Sequence, residues 1–100
     1  MSRYRLTAEA KQDLLDIKNY LVREAGSRVA KSTMIRIKET LEFLNRAPGA
    51  GHVREDLTGD DLKFWTIYSY VIVYDPAKRP IEIMRVLHGK RDVSAILDDE

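Results

Sequence analysis

The spacing of apolar residues changes once along this chain, and that change limits the folds open to it. Ala10, Leu14, Ile17 and Leu21 recur at intervals of four, three and four. After a short interruption Ala30, Met34, Ile37, Leu41 and Leu44 recur in the same way. Such intervals place each set on one face of an α-helix. Beyond residue 62 the helical period is gone. The run "KFWTIYSYVIVY" (63–74) is rich in aromatic and β-branched residues, and Ile81 to Leu87 reads as one further strand. Two amphipathic helices followed by strands imply an α+β layering, with one face of the helix pair lying on a small sheet.

Local signals set the boundaries. Arg3-Tyr4-Arg5-Leu6 alternates in character and reads as an edge strand. Thr7 is placed to cap a helix from about Ala8 to Glu24, and Glu9 favours its positive end. Gly26 supplies a stop, and Ser27 a new cap for a second helix ending near Asn45, before Pro48-Gly49. The pair forms an αα-hairpin. Residues 47–62 have no period and read as a loop, of a length that is usually functional or mobile. A turn near Tyr68-Ser69 splits the aromatic run, and Asp75 to Pro80 forms the next turn. Val71-Ile72-Val73 is apolar on both faces, as in a central strand. The expected order is β-α-α-β-β-β: an N-terminal edge strand and a helical hairpin packed on a four-stranded, mostly antiparallel sheet. The single domain 1–100 divides into the edge strand (1–6), hairpin (8–45), loop (47–62), three-stranded meander (63–89) and a short helical turn (92–97) that Asp92 can cap.

Several functions are disfavoured by composition. The chain has no cysteine, so neither a disulfide framework nor a thiolate metal site is open to it, and its two histidines lack ligand spacing. No cofactor is expected. No apolar run approaches the roughly 20 residues needed to cross a bilayer, and Met-Ser-Arg-Tyr-Arg has no apolar core behind it. The expectation is a cytoplasmic protein. Its net charge is +1, with ten Lys/Arg against six Asp/Glu in residues 1–50 and seven against ten in residues 51–100. That mild basicity does not by itself name nucleic acid as a partner, and no specific DNA binding by the chain alone is expected.

Positive charge and an imidazole crowd the end of the last strand, "RVLHGKRD" at 85–92. Together with "YRLTAEAKQDLLDIKNYL" (4–21), the second helix, "YVIVYD" (70–75) and "IEIMRVLHGKRDVSAIL" (81–97), this segment resembles the RelE/ParE toxins of bacterial type II toxin–antitoxin systems, more closely the ParE branch. The resemblance covers nearly the whole chain. It implies the same α+β fold and a cognate antitoxin, ParD-like for this branch, as a hetero-oligomeric partner. It implies DNA gyrase as the target in the ParE branch, poisoned by binding. In the RelE branch it implies ribosome-dependent cleavage of mRNA, which is the alternative reading.

The residues weigh the two. Metal-free RNA cleavage needs a base, an acid and cations at the phosphate. The candidates are His88 for proton transfer and Arg85, Lys90, Arg91, Arg54 and Lys63 for charge. Arg85 and His88 lie three apart and so point to opposite faces of a regular strand. On that reading Arg85 shares a face with Leu87, Ile83 and Ile81, and a common pocket needs a bulge. The C-terminal tail also lacks the aromatic hydroxyl that the RelE resemblance implies, and its acids repel phosphate. A binding protein is therefore favoured over an enzyme. Arg85, His88, Lys90, Arg91, Arg54 and Lys63 are then candidate target contacts, although a strand-end imidazole is more often only hydrogen-bonded, and Arg85 can equally cover the open sheet face. Trp65, Tyr70 and Tyr74 read as packing residues rather than as a stacking platform, with Tyr68, at the turn, the exception. Off the helical stripes, Leu15, Tyr20, Val29, Ile35 and Phe43 exceed what one buried face needs, and mark a surface for another chain. Arg23, Arg28, Lys31 and Arg36 are placed to receive acidic residues of an antitoxin.

Overall fold

A computed structural model describes residues 3–53 and 61–89. Strand β1 (Arg5–Leu6) leads into helix α1 (Ala8–Ala25) and helix α2 (Ser27–Arg46). A single 3-10 turn (Pro48–Ala50) follows, then β2 (His52–Val53), β3 (Lys63–Ile67), β4 (Tyr70–Asp75) and β5 (Glu82–His88). The strands form one five-stranded sheet in the order β1-β5-β4-β3-β2, parallel between β1 and β5 and antiparallel elsewhere. The fold is thus the expected α+β type, with one strand more than the four read from sequence. That strand, β2, lies inside the stretch read as loop.

Capping explains how the helices begin. The Thr7 hydroxyl accepts from the Ala10 N–H at 3.0 Å and donates to the Met84 carbonyl at 2.8 Å, so one side chain both starts α1 and ties it to β5. Gly26, at φ 90°, ends α1 by donating its N–H to the Val22 carbonyl, and also serves as the N-cap of α2. Ser27 is the first residue of α2 and does not cap it.

Both apolar stripes meet the sheet. Leu14, Ile17, Ile37, Leu41 and Leu44 pack with Tyr70, Ile72, Tyr74, Ile81, Ile83 and Val86 in the main core. On the opposite sheet face Phe64, Val73 and Leu87 form a smaller buried cluster with Val71 and Met84. Strand β4 therefore contributes to both faces, as its continuous apolar run implied. Tyr74 is fully buried; its hydroxyl donates to the Pro48 carbonyl at 2.7 Å and accepts from the Gly51 N–H at 2.9 Å, which moors the 3-10 turn to the sheet.

One irregularity decides side-chain directions near the end of β5. Val73 pairs with Arg85 but Tyr74 pairs with Ile83, so Met84 is an extra residue opposite that step, a β-bulge. The bulge changes the phase of the strand. Ile81 and Ile83 face the helices, whereas Arg85 shares its side with Leu87 alone, contrary to the expectation that all four lie on one face.

Candidate target-binding strand end

Among the described residues, no strand other than the two-residue β1 pairs with the outer edge of β5. Groups from α1 and its cap take that role. The Thr7 N–H donates to the Ile83 carbonyl at 3.1 Å and its hydroxyl to the Met84 carbonyl, and Asp13 Oδ2 accepts from the Val86 N–H at 3.0 Å. The same carboxylate receives the Arg85 guanidinium side-on, Nε to Oδ2 at 2.7 Å and Nη2 to Oδ1 at 2.8 Å. Both side chains are largely shielded, with 27% of Arg85 and 12% of Asp13 exposed. The Asp13 hydrogen bonds, opposed by partial burial, hold the guanidinium pKa above its usual range. Arg85 is therefore ion-paired and partly shielded, not a free charge. It closes a strand edge.

His88 is exposed at the end of β5 and packs edge-on against Tyr70, with ring centroids 5.3 Å apart and planes at 72°. The next N–H, of Gly89, donates to the Ser69 carbonyl at 2.8 Å and fastens the strand end to the β3–β4 turn. Tyr68 in that turn has φ 54° and is 60% exposed. His88 pairs with Tyr70 on the helix-facing side and Arg85 with Val73 on the other, so the bulge does not bring them together.

The other sequence candidates are dispersed. Lys63 pairs with Tyr74 at the start of β3, the opposite end of the β3–β4 hairpin from His88. Arg54, Lys90 and Arg91 lie outside the described residues. His52 stacks nearly parallel on Trp65 across the far sheet edge, at 6.2 Å. Among the described residues no group of His, Cys, Asp and Glu has the arrangement of a metal site.

Two concave surfaces border the helices. An interhelical groove is lined by Val22, Ala30, Met34 and Ile35 and flanked by Lys18, Lys31 and Lys38. Ile35 and Lys31 were expected at such a surface. Lys18, Val22 and Lys38 were not, although Val22 is another apolar residue off the α1 stripe and carried the same signal. Leu15, Val29 and Ile35 are each nearly half exposed. Phe43, by contrast, spends part of its surface on Trp65, with ring centroids at 5.5 Å. Arg36 pairs with Glu39 at 3.5 Å on the open helix surface. The second hollow, between α1 and the strand end, is lined by Asp16, Ile17, Tyr20, Tyr70 and His88. Burial, with a smaller contribution from Tyr20, pushes the Tyr70 phenol above its ordinary pKa of 10.0. No helix among the described residues is long and apolar enough to cross a membrane.

Comparison with known proteins adds to this geometry. Residues 4–93 match a family model described as the ParE toxin of the type II toxin–antitoxin system parDE. The chain is 33% identical over 97 residues to Toxin ParE1 of Caulobacter vibrioides, covering 97% of this chain and 99% of that one. Its fold superposes with a TM-score of 0.70 on a chain of the chromosomal ParDE system from P. aeruginosa. That match has 20% identity and covers 90% of this chain and 98% of the other, a likeness of fold.

Proposed function

Because this chain belongs to the ParE toxin family of type II toxin–antitoxin systems, we propose that it poisons DNA gyrase by binding it, in the cytoplasm, and that a cognate ParD-like antitoxin neutralises it. The strand-end region is the target-binding surface in this reading. His88 contributes directly, Lys90, Arg91 and Arg54 supply positive charge, and Lys63 makes a separate contact from the opposite end of the β3–β4 hairpin. Arg85 acts through its ion pair, which sets the position of the strand that carries His88. The antitoxin covers the helical surface around Val29, Ile35 and Leu15, where Lys31, Arg28, Arg23 and Arg36 meet its acidic residues.

One observation supports binding over RNA cleavage. Arg85, one of the cations a cleavage mechanism would call on, is already held side-on by Asp13, on the opposite side of the strand from His88. Cleavage needs a proton-transfer group and a free cation converging on one phosphate, and this pair does not converge. A supercoiling assay with purified gyrase and excess chain tests the proposal. Loss of supercoiling, restored by the antitoxin, is the expected result. Full supercoiling would overturn it, and message cut in a translating extract would favour the endonuclease.

A further inference from the structure

The hollow between α1 and the end of β5 differs in chemistry from the interhelical groove. The groove is flanked by lysines, whereas no Lys or Arg among the described residues lines the hollow. Its base is apolar and aromatic, because Ile17 and Tyr70 are both buried. Tyr20 stands half exposed at its side, and His88 packs against Tyr70. Among the described residues Asp16 brings the one formal negative charge. Its Oδ1 accepts from Gln12 Nε2 at 2.8 Å, and among the described residues the carboxylate has no other partner.

Three kinds of guest can be compared. An apolar side chain would suit Ile17 and the rings, but would leave the carboxylate partly desolvated with nothing in return. A phosphate would be repelled by Asp16. A cation is drawn both to the negative ring faces of the tyrosines and to the carboxylate. Of the two cationic side chains, the guanidinium is flat, weakly hydrated and forked. It can lie on a tyrosine ring while donating to a carboxylate oxygen, which a compact ammonium does less well. We infer that this hollow binds an arginine side chain presented by a protein partner, with Asp16 as the counter-charge, the half-exposed Tyr20 as the stacking surface and the buried Tyr70 and Ile17 as the floor.

The inference rests on the reading that the chain works by gripping other proteins. Its test uses neither gyrase nor antitoxin, so either can fail while the other stands. The experiment is an NMR titration of the full chain with the blocked tripeptide Gly-Arg-Gly, and with a twin in which citrulline replaces arginine. Citrulline keeps the shape and most hydrogen bonds but lacks the charge. The arginine peptide is expected to move the ring signals of Tyr20, Tyr70 and His88 saturably, and the citrulline twin to bind several-fold more weakly. Asp16→Asn, at an exposed position, should fold normally and weaken the arginine peptide about two- to fivefold, the range of a surface ion pair. Tyr20→Leu, which keeps apolar bulk but removes the ring, should weaken it as well. Equal binding of the two peptides, unchanged affinity in Asp16→Asn, no shift at these three rings at the highest soluble peptide concentration, or inorganic phosphate moving the same signals would each overturn the assignment.

Discussion

Asp13 on the first helix and Arg85 on the last strand, 72 positions apart in sequence, are joined by two hydrogen bonds of 2.7 and 2.8 Å, and the same carboxylate accepts the Val86 N–H. The pair acts as a substitute for a missing stretch of edge strand. Removing either member leaves a shielded charge or an unpaired backbone donor. Asp13→Ala should therefore cost about 2–4 kcal/mol of stability, seen as a lower Tm and a lower denaturant midpoint. Arg85→Lys keeps the charge but not the fork, and should cost less, about 1 kcal/mol. A Tm unchanged by Asp13→Ala would mean that the edge is closed by something else.

The same pair yields a functional prediction. If Arg85 acts by position, a folded Arg85→Lys variant should keep most of its effect on gyrase, whereas His88→Ala should lose more of it while melting close to the parent. The two variants are compared in the supercoiling assay at equal folded concentration. A larger loss from Arg85→Lys than from His88→Ala would make the guanidinium a direct contact.

Gly51 and Tyr74 give a coupled test. A Cβ at Gly51 would lie 2.5 Å from the Tyr74 hydroxyl and 2.9 Å from its ring, so the glycine is required by close approach and not by an unusual φ. Gly51→Ala should destabilise by about 1–3 kcal/mol. Tyr74→Phe, which strips the bonds to Pro48 and Gly51, should cost about 1–2 kcal/mol. The double variant should cost less than the sum, because the nearest clash is with the oxygen that the second change removes. Strict additivity in urea unfolding would refute the contact.

Alkaline stability follows from the phenols. Burial holds Tyr4, Tyr70 and Tyr74 above their ordinary pKa of 10.0. Each keeps its proton in the folded chain at a pH where the unfolded chain gives it up. The folded state therefore binds more protons there, and stability falls with rising pH. The contribution is fully present below about pH 10 and is lost as pH climbs through the raised folded values. Urea unfolding followed from pH 8 upward should show a decline beginning near pH 10 that is smaller in Tyr74→Phe.

The helical surface separates folding from partner binding. Leu41 is fully buried, and Leu41→Asp should unfold the chain, since an unpaired carboxylate there costs several kcal/mol. Ile35 is 46% exposed beside Lys31 in the interhelical groove. Ile35→Asp should shift stability by no more than about 0.5 kcal/mol but weaken a ParD-like antitoxin roughly tenfold or more, as loss of a central apolar anchor does. Calorimetry of antitoxin binding checks this, and an unchanged Kd would place the antitoxin elsewhere.

How much of this was readable in the sequence depended on whether the signal was local. The stripes of Ala10 to Leu21 and Ala30 to Leu44 gave both helices almost to the residue, because burial of one face dictates the period. Thr7 was legible as a cap by its type and place. Met84 was not legible as a bulge: it has no glycine or proline beside it, and the extra residue is defined only against Val73 and Tyr74 on another strand. Strand β2 is two residues long and carried no alternation to detect. Asp13 was silent for the same reason as Met84. An acid on a helix is ordinarily solvated, and only the path of β5 beside α1 makes this one the partner of Arg85 and Val86. The sequence could therefore name candidate residues, but the directions in which Arg85 and His88 point needed the register.

A chain that disables gyrase by occupying it, and not by turnover, must inhibit in proportion to its amount, and a titration reads this. Purified gyrase is titrated with the chain, and supercoiling is read after short and long incubation. The account predicts that inhibition becomes complete only as the amount of chain approaches that of gyrase, that it does not deepen with time, and that added antitoxin reverses it. Supercoiling that continues undiminished at a large excess of chain, or loss of activity that progresses at a small fraction of the gyrase present, would contradict it.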